Sequence, residues 1–172
     1  MNRSKAIALS AVSAALATIF LVIGDYFPTL SLGSAFLAGI VMMVPLSKKL
    51  YLGAALAYLA SAALAFLISS FIFEAILPFL MFFGLQPIIN RLQLDRNWNK
   101  YLMLVIKDLW FVGAAVGYYF IFSVVLFENN EALNAYALPI IIAISAAAYI
   151  LYDYLSFYFQ KYIDLLITRL KL

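Results

Sequence analysis

The chain has 172 residues, 67% of them apolar and 11% charged, with eleven Lys and Arg against eight Asp and Glu and a net charge of +3. About a quarter of a water-soluble domain is charged, so this composition excludes one and calls for a bilayer around most of the surface. There is no Cys and no His, which excludes disulfides, thiolate and imidazole metal sites, haem ligation and the usual general base near neutral pH.

At about 20 apolar residues per crossing, the sequence predicts one all-α transmembrane domain over 1–172 with six helices. The first, 5–24, carries Ser4, Ala8, Ala11, Ala15 and Thr18 at three- and four-residue spacing, a smooth small-residue stripe. Leu9, Val12, Leu16, Ile19 and Ile23 form a bulky stripe on another side. Small residues let helix backbones approach closely in lipid, so the small stripe is either a docking face for a second membrane protein or a packing face within this bundle. No small-residue cleavage pattern follows the run, which is therefore read as a retained helix. The second helix, 32–46, is short and contains Gly33 and Gly39; Ser47-Lys48-Lys49 leads into the third, 50–73, with small positions at Gly53, Ala57, Ala60 and Ser61.

The fourth helix, 75–92, contains Gly84 and Pro87, which predict a kink or a short unwound turn because proline removes a backbone hydrogen bond and clashes with the preceding turn. Gln86 and Asn90, four residues apart on one face, are read as satisfying the carbonyls freed by Pro87 rather than as ligand-binding groups. A polar connection, 95–100, precedes the long fifth helix, 101–127, where Gly113 and Gly117 are read as packing positions. The sixth helix covers 137–160. A tail, 161–172, spaces Tyr162, Leu165, Leu166 and Leu170 on one side, as a helix-six extension at the inner interface or a partner-binding element would.

Sorting charge by connection gives an orientation. With both termini and the connections at Lys48 and Arg96 on one side, that side and its helix ends hold all eleven basic residues. The opposite connections hold only Asp25, Glu74, Glu128 and Glu131. The positive-inside rule then places both termini in the cytoplasm. It also accounts for the net positive charge without nucleic acid, because the basic residues stand singly between apolar runs.

Lys107, Asp108 and Asp153 are the only charges written inside apolar runs, and charge at membrane depth draws suspicion of function. The reading favoured here is a Lys107–Asp153 ion pair tying helices five and six together, with a proton or ion relay as the alternative. On the outer side, Asp25, Tyr26, Thr29, Ser31, Glu74, Tyr118, Tyr119, Asn129 and Asn130 are the candidates for a small-molecule pocket. An aromatic belt with solvated loops is the reading that the sequence alone favours for them. A pocket with only acidic fixed charge suits a neutral or cationic ligand. No phosphate-cradling or nucleophile-elbow motif occurs; binding or assembly is therefore the expectation, with no enzyme activity and no cofactor.

These features resemble the S components of energy-coupling factor (ECF) transporters, small six-helix membrane proteins with both ends cytoplasmic that capture vitamins and similar nutrients. The stretch Lys5-Ala6-Ile7-Ala8-Leu9-Ser10-Ala11, with Ala14-Ala15 after it, is similar to that family's first helix. There an AxxxA-type face contacts the transmembrane coupling subunit, and Ala11 and Ala15 occupy that spacing. Pro28-Thr29-Leu30-Ser31-Leu32-Gly33 resembles the segment that helps close the family's substrate pocket, and the short second span followed by a basic turn is also similar. Phe82-Phe83-Gly84-Leu85-Gln86-Pro87-Ile88-Ile89, with Lys107 downstream, resembles an uncharacterised group of Gram-positive membrane proteins of the same outline.

The resemblance implies capture at the outer face beneath residues 25–33, with a coupling subunit and two cytoplasmic ATPases driving the cycle, in the cytoplasmic membrane of a bacterium. No signature for riboflavin, thiamine, biotin or folate is matched. The amino-terminal His of nickel and cobalt S components is absent, so metal uptake is not expected. The alternative is a non-transporting scaffold with the same bundle, like the cell-shape protein MreD, recruiting cell-envelope partners.

Overall fold

The structure, a computed structural model, describes the backbone of residues 3–126 and 131–169 and the side chains of 3–121 and 137–169. Every regular element among the described residues is helical. Helix α1 is Arg3–Tyr26, followed by a 3₁₀ turn, Pro28–Leu30, and α2, Ser31–Ser47. Helix α3 is Tyr51–Ile68; a helical turn α4, Ile76–Pro78, passes into a π-helical turn, Phe79–Phe83, and then α5, Gln86–Asp95. The long helices α6, Lys100–Leu126, and α7, Glu131–Arg169, complete the chain. They form two compact units, Met1–Asn97 with Ser156–Leu172, and Trp98–Leu155.

In the first unit α1 packs against both α2 and α3. The core is built from small residues interleaved with a few large ones: Ala14, Ala17 and Leu21 of α1, Ala35, Ala38 and Met42 of α2, and Ala57, Tyr58 and Ala62 of α3. Such a core relies on close backbone approach, the packing that a bilayer favours. Helices α1 and α3 run parallel. A methyl placed on Gly53 would strike Ser10 Oγ, Thr18 Oγ1 lies 3.5 Å from the Ser61 carbonyl, and Tyr26 Oη donates to the Ile68 carbonyl at 3.4 Å. Contacts therefore advance in step along both helices.

The third apolar run is shorter as a helix than its hydropathy predicts. Helix α3 stops at Ile68 because Ser70 and Phe71 take left-handed backbone conformations; Ser69 Oγ donates back to the Ala65 carbonyl at 2.7 Å. The Phe71 N–H then reaches the Phe66 carbonyl at 3.0 Å, and the two rings meet edge to face at 4.9 Å. A six-to-one backbone bond with an apolar contact across it is a Schellman-type stop.

The fourth run is interrupted where Gly84 and Pro87 predict, and a π-helical turn lies ahead of the break. No continuous helix covers 75–92. Proline cannot donate to the helical ladder, and Pro78 and Pro87 bracket a stretch whose bonding shifts by one residue: the Gly84 N–H bonds to the Phe79 carbonyl, five residues back, at 2.9 Å. The break falls at Gly84-Leu85, and Pro87 lies in the first turn of α5, where its missing N–H costs nothing. Tyr58 closes over this turn, its hydroxyl donating to the Leu80 carbonyl at 2.8 Å and its ring 5.3 Å from that of Phe79. A Cβ on Gly84 would collide with the Tyr58 ring. Among the described residues, five segments are long and apolar enough to cross a membrane: Arg3–Tyr26, Pro28–Ser47, Tyr51–Ile68, Lys100–Ile121 and Ala137–Arg169.

In the second unit, Asn99 Oδ1 accepts from the N–H groups of Tyr101 and Leu102 and so caps α6. Gly113 is not the packing position its neighbours implied, since a Cβ there would meet open space. Helix α7 runs without a break through Pro139 to Arg169, so 161–169 is its direct extension.

Candidate functional site

The small-residue stripe of α1 lies mainly on the outside of the first unit. Ser4, Ala8, Ala11 and Ala15 are exposed, while the side that packs inward is Ser13, Ala14, Ala17, Leu21 and Gly24. Thr18 leaves the stripe: it is 6% exposed and its hydroxyl donates to the Ala14 carbonyl at 2.8 Å. The bulky stripe is also outward, with Val12, Leu16, Ile19 and Ile23 exposed. Helix α1 thus has two small faces, one used internally and one presented outside. The sequence distinguishes them poorly because Ser10, Ser13, Ala14 and Ala17 are as small as the residues of the outer stripe.

Five of the candidate ligand residues gather where α1 ends and α2 begins. Asp25, 3% exposed, accepts the Ala75 N–H at 2.9 Å through Oδ1, tying the end of α1 to the loop that carries Glu74. Tyr26 and Thr29 are exposed, Glu74 is half-buried, and Ser31 is buried at the start of α2. Asp25 therefore holds backbone together as an acceptor for a loop amide that would otherwise lack one. Tyr118 and Tyr119, both half-buried, belong to α6 in the second unit. Asn129 and Asn130 lie outside the described residues.

Within the second unit Lys107 and Asp153 meet. Lys107 Nζ lies 2.6 Å from Asp153 Oδ1, and Tyr149 Oη donates to the same oxygen at 2.9 Å. Both charged groups are buried, Lys107 to 1% exposure. The Phe111 ring packs on Tyr149 at 5.5 Å and lies parallel to Tyr152 at 6.2 Å. A buried charge in an apolar span is tolerable when paired and hydrogen-bonded in this way.

A polar seam in the first unit goes beyond what the sequence pattern predicted. Asn90 donates from Nδ2 to Ser156 Oγ at 3.1 Å. Arg91 Nη1 bonds Asp164 Oδ2 at 2.7 Å, and Gln160 Nε2 donates to Asp164 Oδ1 at 3.2 Å. Arg91 also lies 3.6 Å from Asp95, which Lys49 approaches at 3.5 Å. The Tyr51 hydroxyl donates to Asp95. That bond, with the charges of Arg91 and Lys49, holds the Asp95 carboxyl below the usual carboxylate range. The available signal was spacing: Gln86, Asn90 and Gln93 share a face of α5, and Tyr149, Asp153, Ser156 and Gln160 recur at threes and fours on α7.

Fold and site together define an all-α membrane protein with a small-residue helix face on its outside and, within each unit, buried charged or polar side chains paired between helices. Comparison with known protein families, with curated proteins and with solved structures gives no match.

Proposed function

We propose that this chain is the substrate-capture subunit of an ECF-type uptake system in a bacterial cytoplasmic membrane. It crosses six times with both termini cytoplasmic and takes a neutral or cationic, vitamin-like small molecule. The observation that carries the reading is the outer face of α1, where Ser4, Ala8, Ala11 and Ala15 stay exposed although the same helix is packed on α2 and α3. A helix already held by its own bundle has no internal need for a second small face; a coupling subunit that docks by close backbone approach does. The gathering of Asp25, Tyr26, Thr29, Ser31 and Glu74 at one end supports capture there, with acidic fixed charge that disfavours an anionic substrate.

The test is co-purification with a coupling subunit and its two ATPases. Ala11→Trp and Ala15→Trp are expected to abolish capture of that module while leaving helix content and thermal unfolding unchanged, because both side chains lie outside the core. Retention of the module by both variants overturns the reading. A second reading, a scaffold like MreD, is favoured by one observation: Asp25 and Ser31 are buried in helix packing rather than open to a ligand. Isolation with cell-envelope proteins instead of a transport module decides for it.

A further inference from the structure

A groove of about 630 Å³ lies between the amino-terminal half of α1 and the first half of α3. Its walls are mostly small or aliphatic, with Ala11 and Ala14 on one side and Gly53, Leu56 and Ala60 on the other, and Tyr51 at the end nearest Lys49. Ala11, Leu56 and Ala60 are exposed, and both helices are of membrane-crossing length, so the groove opens toward the acyl region of a bilayer.

One end has different chemistry. Lys49 lines it, with a side chain 64% exposed and a φ of 57°, a left-handed conformation that normally favours glycine. Lys48 precedes it. Because α1 and α3 run parallel, Arg3 and Lys5, both exposed, lie toward the same end. The carboxylate near Lys49 is Asp95, 3.5 Å away, and Asp95 is shared with Tyr51 and Arg91. An apolar trough with a cationic mouth is complementary to a molecule with one long hydrocarbon chain and an anionic head. Basic sites at the inner ends of membrane helices recognise anionic lipid headgroups by this arrangement.

We propose that the groove binds an anionic phospholipid, one acyl chain lying between α1 and α3 and its phosphate held at Lys48 and Lys49. The inference does not rest on substrate capture, since it requires no transport partner, although the groove shares Ala11 with the proposed docking face.

The experiment is native mass spectrometry of the full chain released from nanodiscs containing equal phosphatidylglycerol and phosphatidylcholine. The wild type is expected to retain phosphatidylglycerol in several-fold excess. Lys48→Gln with Lys49→Gln should bring the ratio close to one, and Ala60→Trp, which fills the groove, should reduce retention of both lipids. Equal retention by the wild type overturns the proposal, as does an unchanged ratio in the lysine variant, whose substitutions lie at a surface turn and decide the matter even where Ala60→Trp fails to fold. If Ala60→Trp keeps its phosphatidylglycerol but no longer holds a coupling module, the groove belongs to a protein partner and the lipid assignment is overturned.

Discussion

Lys107 and Asp153 together illustrate what a charge inside an apolar span demands. Each ion alone would face a large desolvation cost, several kcal/mol even after relaxation. Their 2.6 Å contact and the Tyr149 hydroxyl on the same carboxylate offset much of it. The asymmetry of buried pairs yields a prediction. Lys107→Met leaves Asp153 buried without its cation and should cost about 3–5 kcal/mol, whereas Lys107→Met combined with Asp153→Leu should cost much less, because the pair is replaced by apolar volume. Reversible unfolding in detergent micelles measures both. A single variant as stable as the wild type would show that the pair does not hold α6 to α7. A relay that carries protons predicts a different pattern, with the double variant losing function while keeping its stability.

At the scale of the element, the fourth apolar run is decided by backbone chemistry more than by hydropathy. Between Pro78 and Pro87 the chain slips from four-residue to five-residue bonding over Phe79–Phe83. Gly84 follows because the Tyr58 ring occupies the space of its missing side chain. Gly84→Ala should therefore destabilise the protein by about 1–3 kcal/mol, the cost of overpacking. Gly113→Ala, on an open face of α6, should be neutral or stabilise by about 0.5–1 kcal/mol through helix propensity. Equal melting shifts for the two would sink this account of the turn. Helix positions and the Lys107–Asp153 pair were legible because long apolar runs and rare charges stand out. The π-turn and the seam of Asn90, Arg91, Ser156, Gln160 and Asp164 were not: the turn depends on a one-residue slip in backbone bonding beneath Tyr58 of α3, the seam on which side chains α5 and α7 bring together, and spacing on one helix does not name the partner on another. The two faces of α1 were inseparable for a related reason: small residues pattern alike whether they pack inward or wait outside.

The whole molecule turns on whether the broken fourth segment crosses the bilayer. Residues 76–95 number about 20 and, at 1.5 Å per residue, cover the roughly 30 Å hydrocarbon core despite the break. The proposed topology requires that they do, because only an even number of crossings places Lys48, Lys49, Arg96 and Lys100 on one side with both termini. Helix α7 adds a geometric point. Its 39 residues reach about 58 Å, so one end must project beyond the bilayer, and Lys161, Asp164 and Arg169 make the carboxyl-terminal end the suitable one. The chain has no cysteine of its own, which allows single-cysteine variants to be read without background. Ser4→Cys, Asn97→Cys and Thr168→Cys should be shielded from an impermeant maleimide in intact cells and react only after permeabilisation. Thr29→Cys and Ser70→Cys should react from outside. Labelling of Asn97→Cys from the outside would mean that α4, the π-turn and α5 form a re-entrant segment; α6 and α7 would then run in the opposite sense, and Thr168→Cys should react from outside with it.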